Sequence, residues 1–292
     1  MGARILDGKA TAKAIRNEIA VRVEDWRRRG FPIPTLVAVL VGDDPASQVY
    51  VRNKQRACQE VGMDSQVFRK PADTTTDELL ELLVRLNEDD NVHAVLVQLP
   101  LPAKVDSQRV LDAVSPFKDV DAFTPANVGL MVQGRPEFLP CTPHGVLQLL
   151  ARNDIQVAGK HVVVVGRSEI VGKPMAMLLV QKNSHLGEQF ANATVTLCHS
   201  RSNNLADITR QADVLIAAVG KPRLITADMV RPGATVIDVG INRVGDNLVG
   251  DVDFDAVREV ASAITPVPGG IGPLTIAMLL FNTMRACELQ MV

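Results

Sequence analysis

Six apolar runs rich in β-branched residues recur along the chain, at 36–42, 92–98, 161–166, 193–198, 214–219 and 235–239, with helical patterning between them. Residues 162–165 are valine at every position, as in a strand covered on both faces. Parallel neighbours need a crossover of a dozen or more residues, usually a helix, so this rhythm predicts an α/β architecture with parallel sheet. At 292 residues with 47% hydrophobic content, the chain can fill two domains, or one domain and a large lobe. An amphipathic stretch at 11–29 ends in Arg27, Arg28 and Arg29 before Gly30, as a helix C-terminus should. Between 115 and 143 the texture turns to Ser-Pro, Thr-Pro, Gly-Arg-Pro and Pro-Cys-Thr-Pro, which places the junction there. The reading is a first domain over 1–122, a linker over 123–143, a second domain over 144–272, and a C-terminal helix at 273–292 that returns to the first.

Composition narrows the partners. A formal net charge of -2, from 31 basic and 33 acidic residues dispersed along the chain, gives no basic stripe, so nucleic acid is not expected. No apolar run reaches the roughly 18 residues of a membrane span, and Met1 to Lys9 shows neither a signal core nor, with Leu6, a myristoylation pattern, so no membrane partner and a cytoplasmic location are expected. Cys58, Cys141, Cys198 and Cys287 are scattered and read as reduced, mostly buried thiols. His93, His144, His161, His185 and His199 show no ligand spacing, and no metal is expected.

Two segments carry chemistry. If 44–61 is helical, Ser47, Tyr50 and Lys54 share a face at i, i+3 and i+4 offsets, a hydroxyl, a phenol and an amine that could handle a proton; the plain alternative is a polar surface face. The run 161–165 leads into Gly166-Arg167-Ser168-Glu-Ile-Val-Gly172-Lys-Pro174, a strand entering a turn that opens a helix. Dinucleotide pyrophosphate sites are laid out this way, although Ser168 stands where the usual fingerprint has its middle glycine. Two further strands end in glycine, at Gly220 and at Gly240 before Ile241, on the edge where cofactor sites collect. After the strand ending at Cys198 the chain reads His199-Ser200-Arg201-Ser202, with no acid to bind a ribose 2′-hydroxyl. With Arg167 nearby in the first loop, a 2′-phosphate is favoured, hence NADP over NAD.

The chain resembles, almost end to end, the bifunctional methylenetetrahydrofolate dehydrogenase/methenyltetrahydrofolate cyclohydrolase family. The resemblance rests on Ser47-x-x-Tyr50-Val51-x-x-Lys54-x-x-x-Cys58, Val97-Gln98-Leu-Pro-Leu-Pro102, Lys118-Asp-Val-Asp121-Ala-Phe123, Pro140-Cys-Thr-Pro143, the Gly166 to Pro174 loop, and Pro266-Val-Pro-Gly-Gly-Ile-Gly-Pro273. It implies two α/β domains around a cleft, the second a Rossmann-type cofactor domain. It implies oxidation of 5,10-methylenetetrahydrofolate with NADP and hydrolysis of the methenyl product to 10-formyltetrahydrofolate. Lys54 is then central to hydrolysis with Tyr50 and Gln98 around it, Asp121 binds the pterin, and Ser47, Pro268, Gly269 and Gly270 contact substrate. Thr142, Gly166, Arg167, Ser168, Gly172, Ser200, Arg201, Gly220, Ile241 and Thr275 are the implied cofactor residues. A homodimer through the cofactor domain is also implied.

These roles suit the residue types. A carboxylate accepts two hydrogen bonds from a pterin's amino group and ring N–H, and an amine taken out of water can shuttle a proton beside a neutral amide. The chain departs from the family pattern twice. Ala122 replaces the usual glycine after Asp121, at a cost of about 1 kcal/mol or more if φ is positive there. The stretch 183–191 is longer than usual and is expected to form a surface extension. Short-chain dehydrogenases also carry a tyrosine and a lysine four residues on, but there the glycine loop comes first. A dehydrogenase-only member and a non-catalytic folate- or nucleotide-binding protein are the competing functions.

Overall fold

In the computed structural model, residues 2–291 are described and fall into two compact units. In chain order the elements are β1 (Arg4–Ile5), α1 (Gly8–Arg28), β2 (Thr35–Val41), α2 (Pro45–Val61), β3 (Asp64–Lys70), α3 (Thr76–Glu88) and β4 (Ala94–Val97). Next come α4 (Ser107–Asp112), α5 (Pro125–Val132), α6 (Cys141–Arg152), β5 (His161–Val165), α7 (Gly172–Leu179), β6 (Thr194–Cys198) and α8 (Leu205–Thr209). The chain closes with β7 (Val214–Ala217), β8 (Thr235–Asp238), β9 (Asn242–Val244), β10 (Asn247–Val249), α9 (Phe254–Arg258), β11 (Ala263–Ile264) and α10 (Ile271–Leu289).

The smaller sheet, in the order β3-β2-β4, belongs to a unit made of Lys13–Leu130, Pro136–Cys141 and the chain from Ile276 onward. Its strands are parallel, and every residue of the central β2 is buried. Val37, Val39 and Val41 pack with Val95, Val97 and the α3 leucines Leu79, Leu82, Leu83 and Leu86. Helix α3 starts in a capping box, in which Thr75 and Glu78 satisfy each other's backbone N–H. The edge strand β3 is not anticipated above because Asp-Ser-Gln-Val-Phe-Arg-Lys carries an edge's polar residues rather than an apolar run.

The larger sheet, in the order β1-β11-β8-β7-β5-β6, is parallel throughout. Strand order reverses at β5, with β6 on one side and β7 on the other. In open α/β sheets ligands collect beyond the strand C-termini at such a reversal, and Gly166 follows β5 there. This unit holds the chain through Ala12, Met131–Arg135 and Thr142–Thr275. The boundaries therefore differ from the sequence reading at two places. Residues 2–12 join the larger unit, because β1 pairs with β11, a two-residue contact too short to leave a sequence signal. The segment 123–143 is not plain linker, since it contains α5 and the start of α6.

The long stretch 183–191 is anchored rather than merely superficial. Phe190 is buried, Gln189 accepts backbone N–H bonds from Val157 (2.9 Å) and Ala158 (3.2 Å), and His185 Nε2 lies 3.0 Å from His144 Nε2.

Candidate functional site

Helix α2 is what organises the polar cluster of the smaller unit. The Asp44 carboxylate caps its N-terminus by accepting from Ser47 N at 2.7 Å, Pro45 occupies the first turn, and Gly62 ends it at φ +83°. Its buried stripe of Ser47, Val51, Cys58 and Val61 sets the helix rotation. Lys54 is thereby half-buried, with Nζ donating to Gln98 Oε1 at 3.0 Å, while Tyr50 remains 40% exposed. Gln98 is held twice: its backbone N–H donates to Val39 O at 2.9 Å, and Nε2 donates to Leu99 O at 2.6 Å. The amide therefore turns its oxygen to the ammonium. Ser47 is buried in the first turn, further from solvent than its implied role as a substrate contact suggests.

Burial pushes the Asp121 carboxyl up to about 6, against the pull of the Lys54 ammonium; the Asp119 charge adds to the rise and a Cys141 thiol hydrogen bond opposes it. Lys54, Gln98 and Asp121 thus form one cluster. The neighbouring charges of the same motif do different work. Lys118 is buried and donates to Leu86 O (3.0 Å) and Asp89 O (2.8 Å) at the C-terminal end of α3. Asp119, also buried, accepts from Phe123 N (3.1 Å), Thr124 N (2.8 Å) and Asn127 Nδ2 (2.9 Å) as α5 begins. Asn282 of α10 donates to Val120 O at 2.7 Å and Leu139 O at 2.8 Å. No spacing signal singled out Lys118, Asp119 or Asn282.

Ala122 adopts φ +59° and is 2% exposed, so the chain tolerates a side chain in the left-handed region at this turn. Ala122→Gly should raise stability by about 1 kcal/mol, and a thermal melt should show Tm about 2–4 °C higher. An unchanged or lowered Tm would mean that the methyl's packing outweighs the strain.

In the larger unit the loop after β5 has two positions closed to any side chain. A Cβ at Gly166 (φ +134°) would lie 2.0 Å from Ala218 O, and one at Gly172 would lie 2.0 Å from Gly166 O. Ser168, in the place of the middle glycine, accepts through Oγ from Val171 N (3.2 Å) and Gly172 N (3.4 Å), so it braces the turn from within. Beyond β6, Ser202 Oγ accepts from His199 N at 3.1 Å and His199 Nδ1 from Arg201 N at 3.2 Å. Ser200, Arg201 and Arg167 are exposed, and among the described residues neither arginine pairs with an acid. Thr142 and Thr275 are joined through their hydroxyls at 2.9 Å. The 268–270 loop runs against the first turn of α1: Lys9 N donates to Gly269 O at 3.1 Å, and a Cβ at Gly8 would come within 1.8 Å of Gly270 O. Gly220 (φ +67°) and the exposed Ile241 sit on loops that share a buried acid, Asp251, which sequence reading passed over.

The glycine loop, the basic strand end and the two acid-braced loops fit a phosphorylated dinucleotide: the first admits close backbone approach, and the second offers cation and hydroxyl. No helix among the described residues is long and apolar enough to cross a membrane.

Comparison with known proteins agrees with this division of labour. Residues 6–121 match the catalytic domain, and residues 140–291 the NAD(P)-binding domain, of tetrahydrofolate dehydrogenase/cyclohydrolase. The chain is 64% identical over 296 aligned positions to the Bifunctional protein FolD of Rhodopirellula baltica, covering 99% of each. It matches the crystal structure of the bifunctional enzyme FolD from Campylobacter jejuni with TM-score 0.92 and 45% identity, over 98% of this chain and 99% of that one. The Trypanosoma brucei methylenetetrahydrofolate dehydrogenase-cyclohydrolase, a structure complexed with NADP cofactor and inhibitor, matches with TM-score 0.92 and 38% identity over 100% and 99% of the two chains. With both domain types present in order and the match running the length of the chain, this protein belongs to the tetrahydrofolate dehydrogenase/cyclohydrolase family.

Proposed function

We propose that the protein oxidises 5,10-methylenetetrahydrofolate to the 5,10-methenyl cation with NADP and then hydrolyses that cation to 10-formyltetrahydrofolate. The observation that carries the reading is the Lys54–Gln98 hydrogen bond at 3.0 Å in the field of Asp121, within a chain that also holds the Gly166–Gly172 cradle. Ionised Asp121 accepts from the pterin's amino group and ring N–H and so fixes the substrate's orientation. When bound, NADP supplies the acceptor for the hydride leaving the methylene carbon. Water then adds to the methenyl carbon, one proton is released, and the ring C–N bond opens. Lys54 carries the proton transfers, with Gln98 Oε1 holding its Nζ in place and Tyr50 offering a phenol on the same helix face.

Gly166, Arg167, Ser168, Gly172, Thr142, Thr275, Gly220 and Ile241 hold the cofactor, and Ser200 and Arg201 select the 2′-phosphate. Pro268, Gly269 and Gly270 bring backbone close to substrate. A time course with 5,10-methylenetetrahydrofolate and NADP or NAD, following reduced cofactor, methenyl and formyl products separately, tests the whole reading. Prompt NADPH and formyl product support it, and failure to reduce either cofactor removes it in favour of a binding role. In the same assay Arg201→Ala should raise KM for NADP about tenfold, the size of one lost charge-assisted contact, and leave KM for NAD unchanged. Equal effects on both cofactors would take the 2′-phosphate role away from Arg201.

The protein also forms a homodimer through β6. This strand closes one edge of its sheet, and Leu197 on it, with Met177 and Val180 on α7, is exposed. An apolar edge invites a second copy. Leu197→Lys should shift sedimentation from dimer to monomer, and a wild-type monomer at micromolar concentration would end this part of the proposal.

A further inference from the structure

Asp251 is fully buried, yet among the described residues its carboxylate pairs with no cation. Oδ2 accepts from Val219 N (2.6 Å) and Gly220 N (2.9 Å), and Oδ1 from Lys221 N (2.9 Å) and Asn242 Nδ2 (2.9 Å). The first three donors lie on the loop leaving β7, and the fourth, Asn242, opens β9 directly after Ile241 at the end of the loop leaving β8. One anion therefore ties together two strand-end loops on the edge of the sheet where ligands collect. Four donors fill the roughly four acceptor sites of a carboxylate, so none remains for a ligand.

The anion is itself held from beneath. Asp238, the last residue of β8 and 3% exposed, accepts from Asp251 N (3.0 Å), Gly240 N (3.0 Å) and Val252 N (2.9 Å), while its own N–H donates to Thr265 Oγ1 at 2.7 Å. Two glycines let the chain close over the pair. A Cβ at Gly240 would fall 2.3 Å from Asp251 Cγ, and one at Gly250 would fall 1.8 Å from Asp238 Oδ2. Two carboxylates buried this completely are costly unless their hydrogen bonds are met, and here backbone N–H groups meet them. Apolar side chains at 238 and 251 would leave those donors unpaired, so the two acids fix where the loop backbones sit.

We infer that Asp251 is a positioning residue for the nicotinamide cofactor, fixing the loops of Gly220 and Ile241 relative to each other without touching the ligand. The inference rests on the dehydrogenase reading above, which makes those loops part of the cofactor site. An amide at 251 keeps the shape but turns an NH2 toward N–H donors, leaving at least one of them unpaired.

The test uses the full chain. Calorimetric titration with NADP and steady-state kinetics are run on wild type, Asp251→Asn, Asn242→Ala and Val257→Ala, with melts of each. Val257 is a fully buried core residue of the same unit with no part in either loop, and it supplies the control for general destabilisation. Asp251→Asn should raise both Kd and KM for NADP about tenfold, while kcat at saturating NADP stays within about threefold. Asn242→Ala, which removes one donor and leaves the carboxylate, should raise Kd about threefold; it carries the test if Asp251→Asn does not fold. Val257→Ala should lower Tm and leave Kd alone. Kd within twofold of wild type in both loop variants, or an equal rise in Val257→Ala, overturns the inference while the dehydrogenase reading stands. Wild type that binds no NADP overturns both.

Discussion

Lys54→Met should stop methenyl hydrolysis while hydride transfer continues. In a time course with 5,10-methylenetetrahydrofolate and NADP, NADPH should appear at near the wild-type rate, the methenyl product should accumulate, and formyl product should fall by about 10²–10⁴-fold, the usual worth of a positioned acid–base group. The side chain is half-buried beside Gln98, and methionine fills much the same volume without a proton to move. Hydride transfer asks little of side chains beyond alignment, so it should survive. Two outcomes would sink the assignment: formyl product at the wild-type rate, or both steps lost together in a variant whose melt is unchanged.

Asp121→Asn should trade activity for stability. The carboxyl rises to about 6 in the folded chain from an ordinary value of 3.8, chiefly through burial. Between those values the folded state holds more proton than the unfolded one, so stability falls as pH rises through the interval and stays lower above it. An amide escapes that penalty. At pH 7.5 the variant should melt higher, by about 1–2 kcal/mol once the half-buried position is allowed for, and near pH 4 the two proteins should melt alike. Activity should move the other way. An amide can accept only one of the two pterin bonds, and loss of a charge-assisted hydrogen bond costs about 1.5–3 kcal/mol, or roughly 10–100-fold in kcat/KM for the folate. Wild-type kcat/KM should also climb with pH through about 6 as this carboxyl ionises. A variant that melts lower at pH 7.5 and binds folate normally would make Asp121 a structural acid.

Five of the six apolar runs foretold strands because parallel strands covered on both faces leave an unbroken hydrophobic signature, and the sixth, β6, keeps an apolar β-branched run although it is a half-exposed edge strand. Other strands outside that regime leave no such run: β3 carries an edge's polar residues, and β1 and β11 are two residues each. The site divides similarly. Gly166 and Gly172 were legible because a turn without room for Cβ admits only glycine, and Lys54 because helical spacing gathers its neighbours. Asp238 and Asp251 were not, since an acid satisfied largely by backbone N–H groups 13 to 32 positions away reads in sequence as an ordinary turn residue. Lys118 and Asp119 belong to a motif visible in the sequence, but their partners, a carbonyl pair and an N-terminal turn, come together only in the fold.

Those last two contacts bear on motion. Loops that carry functional groups are usually the loosest parts of a fold. The segment carrying Asp121 is instead moored on one side to the end of α3 by Lys118, on the other to the start of α5 by Asp119, and from α10 by Asn282. It behaves as framework. Its amides should exchange with solvent as slowly as those of the neighbouring helices, whether or not a pterin is bound, and adaptation to different substrates has to come from segments held less firmly.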